Sequence, residues 1–125
     1  MAPPRWVPAQ ELRTALAAVQ DWLDGGAEPP RTDLALAVRL SVRTLGQVAP
    51  GGSVEVRVPP FAATQCVEGP RHTRGTPPNV VETDPRTWLE LATGRTGWAD
   101  ALADGRINAS GTRADIAAHL PILRD

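Results

Sequence analysis

The chain has one cysteine, no lysine, one phenylalanine and one methionine among its 125 residues. Because Cys66 is alone, an internal disulfide is excluded, and with nothing that resembles a secretory signal peptide we expect a cytoplasmic protein. No stretch approaches the roughly 20 apolar residues that cross a bilayer, so no stable membrane insertion is expected. The net charge of −1 leaves no excess of positive charge for phosphates, which disfavours nucleic acid as a partner.

Residues that carry catalysis or bind metal are also scarce. His72 and His119 lie far apart and have no Cys or Glu at metal-ligand spacing, so no metal site is predicted. Ser110 lacks the context of a nucleophile elbow, and without lysine the glycines complete no phosphate-binding loop. Cys66 lies in a predicted strand, which favours a small core residue over a nucleophile. We therefore predict no cofactor and no enzymatic activity.

The first part of the chain predicts helices. We expect a flexible tail over residues 1–7 and a single domain over residues 8–125. Apolar residues at helical spacing predict one helix from Pro8 to about Asp24 and a second, capped by Thr32, from Asp33 to about Val48. The apolar arc of the second helix includes Leu36 and Leu40 and is wide enough to predict that both sides are covered.

Strands follow. The clearest runs from Ser53 to Val58, where Val54, Val56 and Val58 should face the core while Glu55 and Arg57 face solvent. Composition predicts further strands over residues 61–67, 80–83 and 107–110. A last helix is expected after an approximate capping box at residues 112–115 and should end at Pro121.

The stretch from Asp84 to Gly111 has the strongest local signals. Asp84 can cap a helix with Pro85 at its first position, and Gly94 can end it in the left-handed conformation. A second helix should open at Thr96 and stop at Asp104-Gly105. A strand follows, in which Ile107 and Ala109 should point at the core.

This order of elements resembles the C-terminal half of the sterol carrier protein (nonspecific lipid-transfer) family. The block HTRGTPPNVVETDPRTWLELATGR also resembles a bacterial branch in which the domain stands alone. The resemblance extends from about Ser53 to Leu120. It implies an α+β fold, with a mainly antiparallel sheet of four to five strands and helices packed mostly on one face.

The resemblance further implies an apolar cavity between helices and sheet. Its expected lining is Val54, Val56, Val58, Phe61, Trp88, Leu91, Trp98, Leu102, Ile107, Ile116 and Leu120. For the tryptophans, plain core packing is the other interpretation. The long second helix, the tight connection at Pro59-Pro60 and the early C-terminus depart from the family pattern and indicate a smaller or filled cavity.

One polar cluster, with Arg71, His72 and Arg74, has two interpretations. It is either an anion or partner contact, or a loop held by salt bridges to Glu82 or Asp84. The function predicted first is non-catalytic binding of a lipid or acyl chain in the cavity. The alternative is a protein-interaction module that keeps the fold with a reduced or filled cavity; an enzyme is the least favoured class.

Overall fold

The computed structural model describes residues 6–69 and 79–123. The described helices and strands alternate along the chain as two blocks of helix and two of strand. The helices are α1 (Ala9–Ala17), α2 (Gln20–Leu23), α3 (Arg31–Val48), α4 (Pro85–Thr93) and α5 (Trp98–Ala103). The strands are β1 (Val54–Val58), β2 (Ala62–Cys66), β3 (Asn79–Thr83) and β4 (Ile107–Ser110), and a 3-10 turn spans Ala117–His119.

The strands form one four-stranded sheet in the order β2-β1-β3-β4. β1 pairs antiparallel with β2, and β3 pairs antiparallel with β4. The central pair, β1 and β3, is parallel, with Val56 opposite Val81. The predicted α+β class is thus confirmed, and the sheet is mixed rather than purely antiparallel.

One face of this sheet carries the core. Val54, Val56 and Val58 are fully buried, whereas Arg57 is exposed and Glu55 half-buried, so the predicted register of β1 is confirmed. Helix α3 packs closely over β2 at Gly46. A side chain there would not fit without a shift of Thr64, since its Cβ would lie only 2.5 Å from Thr64 Oγ1. In β4, Ile107 is buried but Ala109 is exposed. Ala109 lies on the same face as Ile107, opposite the buried Val81, so its predicted direction is confirmed, but on this last of the described strands the side chain stays exposed.

The helix preceding residue 25 is interrupted. The N–H of Val19 bonds to the carbonyl of Leu16 at 3.2 Å, a tighter turn than an α-helix makes, and α2 starts afresh at Gln20. This turn leaves Val19 fully buried. The long α3 begins at Arg31, with Pro30 rather than Thr32 at its cap position, and no side chain caps it.

Helix α4 begins and ends as its sequence predicts. Asp84 Oδ2 accepts a hydrogen bond from the Thr87 N–H at 3.0 Å, and Pro85 occupies the first turn. Gly94 ends the helix with φ 81°. By contrast, Thr96 does not open α5, because its hydroxyl donates to Glu90 Oε1 at 3.0 Å instead.

The chain after β4 is shorter in regular structure than predicted. The expected last helix is a single 3-10 turn, in which Asp115 Oδ1 accepts the Ala117 N–H at 2.8 Å. Ile116 is nevertheless fully buried and Leu120 half-buried, so these two residues face the core as expected. At the other end, the Val7 N–H bonds to Gln47 Oε1 at 2.9 Å. The predicted boundary between tail and domain at residue 8 stays a prediction.

Candidate functional site

Most of the side chains predicted to line a cavity lie in the continuous core between the sheet and the helices. Val54, Val56, Val58, Trp88, Leu91, Trp98, Ile107 and Ile116 belong to this core, and Phe61 and Leu120 pack against it. These residues come from β1, α4, α5 and β4, from the position before β2 and from either side of the 3-10 turn, which all contribute to the same core. Whether they enclose a ligand stays a prediction.

Trp88 lies in this core where α4 meets α3. Its side chain is fully buried, and the indole Nε1–H donates to Ser41 Oγ of α3 at 2.8 Å. Ser41 in turn donates to the carbonyl of Ala37 at 2.6 Å. Among the described side chains, every buried nitrogen and oxygen has a hydrogen-bond partner. The core at the contact of α3 and α4 is therefore filled by an indole ring with a satisfied polar atom.

Leu102 does not share this environment. The side chain is 43% exposed on α5, whereas Trp98 and Ala101 of the same helix are buried. Leu102 follows Trp98 by four residues and so lies toward the same side of α5, but near the C-terminal end of this short helix its side chain is only partly covered. Leu102 is therefore not one of the core residues, and its predicted contact with a ligand stays a prediction.

The predicted anion contact at Arg71, His72 and Arg74 lies outside the described residues, together with its proposed salt bridges to Glu82 or Asp84. Its role stays a prediction.

A groove on the outer surface of the helix layer offers a second site. We name it the α1–α3 groove. It has a volume of about 430 Å³. It is lined by Gln10, Glu11, Thr14, Ala15 and Ala18 of the α1 side and by Asp33, Leu36 and Leu40 of α3.

The floor of the α1–α3 groove is aliphatic. Leu36 is 49% exposed and Leu40 half-buried, so α3 is not covered on both sides as its wide apolar arc predicted. The polar lining residues have short or flexible side chains, and Asp33 brings a carboxylate from the first turn of α3. Sequence reasoning missed this groove, although the extra apolar residues Leu36 and Leu40 were the signal for it.

A smaller groove lies on the opposite side of α1. Its volume is about 240 Å³, and it brings Arg13 and Gln20 close to Thr93 and Arg95. The guanidinium of Arg95 binds Asp24 through two hydrogen bonds, of 2.8 and 3.2 Å. Hydrogen bonding from Arg95 holds the pKa of the Asp24 carboxyl below its usual value. This pair ties the turn after α2 to the turn after α4.

The described side chains include no cluster of three or more His, Cys, Asp or Glu residues placed to hold a metal ion. Cys66 is buried, and desolvation raises the pKa of its thiol to about 11. A thiol with that pKa is almost entirely protonated at neutral pH and is a poor nucleophile. Within the described part of the chain, no helix is long and apolar enough to cross a membrane.

Comparison with known proteins adds one finding. Residues 30–122 match the model of a protein family described as bacterial SCP ortholog, in which SCP denotes sterol carrier protein. The matched range begins just before α3 and includes the whole sheet, while α1 and α2 precede it. No curated protein matches the sequence.

Proposed function

The chain belongs to the bacterial branch of the sterol carrier protein family, and on this premise we propose that it binds a lipid or another apolar molecule without changing it chemically. We propose the α1–α3 groove as the ligand site. A carrier needs an apolar surface that a ligand can reach, and the exposed Leu36 and half-buried Leu40 of this groove support the choice.

The observation that carries the proposal is the size and lining of the α1–α3 groove. Its volume of about 430 Å³ lies within the range of small-molecule pockets. A ligand that covers Leu36 and Leu40 removes aliphatic surface from water, at roughly 25 cal/mol per Å² before ordering costs are subtracted. Binding at this site is therefore driven mainly by apolar burial.

The rim of the groove selects for the charge of the ligand. Asp33 and Glu11 bring two carboxylates to the lining, and Thr14 and Gln10 add neutral polar groups. An anionic head group next to Asp33 is disfavoured by like-charge repulsion, whereas a hydroxyl finds hydrogen-bond partners. We infer that the preferred ligand is an amphiphile without an anionic head group.

The interlayer region is the competing site within the same function. A ligand that entered next to Trp88 and broke its bond to Ser41 would leave the buried indole N–H without a partner. This cost is the reason why we place the ligand in the α1–α3 groove instead of in the interlayer region.

The same geometry supports a second function, that of a protein-interaction module. An exposed aliphatic groove between two helices also suits an apolar helix of a partner protein, which would cover Leu36 and Leu40. The packed surroundings of Trp88 favour this alternative, because a module of this kind needs no interior cavity.

The test is a titration with a neutral fluorescent sterol such as dehydroergosterol, and in parallel with the fluorescent fatty acid cis-parinaric acid. We expect the sterol to bind and Leu36→Gln to weaken its binding about five- to tenfold, because part of the buried aliphatic surface is lost. The fatty acid should bind more weakly than the sterol at low salt.

The matched control is Leu102→Gln, which removes another half-exposed leucine on a helix remote from the groove. It should bind the sterol as the wild type does. Unchanged sterol binding by Leu36→Gln would exclude the α1–α3 groove and return the ligand to the interlayer region. If the folded wild type binds neither probe at tens of micromolar, the carrier function is wrong and the interaction module is the better proposal.

A further inference from the structure

Three arginines on the exposed side of α3 are not neutralised by any described carboxylate. Arg31, Arg39 and Arg43 take part in none of the ion pairs formed among the described residues. The arginines that do have acidic partners there are Arg57, Arg86, Arg95 and Arg106. A concentration of unpaired positive charge on one helix of a protein with net charge −1 marks a surface suited to an acidic partner.

These arginines border a groove between α3 and β2, which we name the α3–β2 groove. Its volume is about 480 Å³, and its lining consists of Arg39, Val42 and Arg43 together with residues 61–64. Arg39 Nε donates to the carbonyl of Phe61 at 3.4 Å, and the guanidinium of Arg31 lies 4.9 Å from the centre of the Phe61 ring. The groove thus has a basic wall on α3, with the Phe61 ring beside it.

The other wall of the groove is a strand with a free edge. β2 is the last strand of the sheet and pairs only with β1 among the described strands. The Ser53 N–H donates to the Val67 carbonyl at 3.1 Å, so residues 53 and 67 face each other through their backbone groups at the start of the β1–β2 ladder. The alternation of an antiparallel ladder then directs the backbone groups of Ala63 and Gln65 toward β1 and those of Ala62, Thr64 and Cys66 away from it.

We propose that the α3–β2 groove binds an extended acidic segment of a partner protein, which adds to β2 as a fifth strand. This function is independent of ligand binding at the α1–α3 groove. The outward N–H and C=O groups of β2 pair with the backbone of the added strand, and its alternate side chains face α3. Carboxylates at those alternate positions meet Arg39 and Arg43.

The spacing of the charges fits this arrangement. Arg39 and Arg43 are one turn apart on α3, and a rise of about 1.5 Å per residue separates them by about 6 Å along the helix. Alternate residues of a strand are separated by about 6.6 Å. A segment with acidic residues at every second position therefore places successive carboxylates opposite successive arginines. A flat membrane surface would leave the backbone groups of β2 unpaired, which favours a peptide.

The probe is a fluorescein-labelled peptide of eight residues in which Glu and Val alternate, titrated with the protein and followed by fluorescence anisotropy. The same peptide with Gln in place of Glu is the charge control. We expect the Glu peptide to bind, with an affinity that falls as salt rises, and the Gln peptide to bind much more weakly.

Matched variants separate the groove from the overall charge. Arg39→Gln/Arg43→Gln should weaken binding of the Glu peptide by about three- to thirtyfold, the sum expected for two exposed charge pairs. Arg13→Gln/Arg113→Gln removes two other arginines that form no ion pair among the described residues and do not line the α3–β2 groove, and this variant should bind as the wild type does. Equal losses in both double variants would mean non-specific attraction and would overturn the proposal.

Strand addition has its own readout in amide hydrogen exchange. The bound Glu peptide should slow exchange at the Thr64 amide, which points away from β1, and leave the Gln65 amide unchanged because it already pairs within the sheet. A peptide N-methylated at every backbone nitrogen should not bind. Unchanged exchange at Thr64 would exclude a fifth strand. If vesicles of phosphatidylglycerol bind in an Arg39- and Arg43-dependent way and the peptide does not, the surface is a membrane contact and the proposal is wrong.

Discussion

At the scale of single residues, Cys66 shows how burial fixes chemical behaviour. Its side chain lies in β2, opposite Val54 of β1, and is fully buried. The interpretation of this residue as a small core side chain agrees with that burial. Removing the thiol from water disfavours the thiolate and raises its pKa to about 11.

The raised pKa of Cys66 predicts a pH dependence of folding. The unfolded chain loses the thiol proton near pH 9.0, whereas the folded chain keeps it until about pH 11. The stabilisation is therefore complete below pH 9 and is lost as the pH rises toward 11, by about 1.4 kcal/mol per pH unit. Because the sequence has no lysine and no tyrosine, no other side-chain type titrates in this interval.

The measurement is urea denaturation of the wild type and Cys66→Ala at several pH values from 7 to 10.5. The variant should be less stable at pH 7, owing to the lost packing, and should lose less stability than the wild type above pH 9. If the free energy of unfolding falls with pH equally in the two proteins, the buried thiol does not control alkaline stability.

At the scale of elements, α4 is the helix whose limits are set by local chemistry. Asp84 binds the N–H and the hydroxyl of Thr87, at 3.0 and 2.7 Å, and Gly94 supplies the left-handed residue after the last turn. In contrast, the break between α1 and α2 and the late start of α5 have no comparable side-chain signal. They follow from burial of Val19 and from the bond between Thr96 and Glu90.

Gly94 allows a test of this local control. Gly94→Ala should lower the free energy of unfolding by about 1–2 kcal/mol, because φ is 81° and a Cβ is strained in the left-handed region. The added Cβ would lie 3.6 Å from the nearest atom of Pro121, which is ordinary contact. Gly94→Asn should cost less than Gly94→Ala, since Asn adopts this conformation more readily. If thermal unfolding shows that Asn costs more, crowding against Pro121 is the cause instead.

At the scale of the whole molecule, one core joins the helix layer to the sheet. α1, α3 and α4 and all four strands contribute buried residues to it, and Trp88 bridges α4 to Ser41 of α3. A shared core of this kind predicts that the described elements unfold together.

Trp88→Ala tests that prediction. Loss of the buried indole should reduce the free energy of unfolding by about 3–5 kcal/mol, while circular dichroism and tryptophan fluorescence still report one transition. Trp6→Ala is the control, because this indole is 62% exposed, and it should change stability by less than about 0.5 kcal/mol. An unchanged midpoint for Trp88→Ala, or separate transitions for the two signals, would show that Trp88 does not hold the layers together.

The sequence by itself determined the elements that depend on neighbours a few residues away. Alternation placed Val54, Val56 and Val58 on the buried face of β1, and the signals at Asp84, Pro85 and Gly94 placed α4. The order of these parts, with their motifs, was enough to indicate the family and the α+β class. These features follow from strand periodicity and helix capping, which act within single elements.

Only the tertiary structure decided which surfaces are covered and which stay open. It made β1 and β3 parallel neighbours, left Leu36 and Leu102 exposed, and put the α1–α3 groove on the outside of the helix layer. These outcomes depend on how elements distant in sequence cross and how closely they pack. The hydrophobicity of a side chain favours its burial. It does not specify which element covers that side chain, or whether any element does.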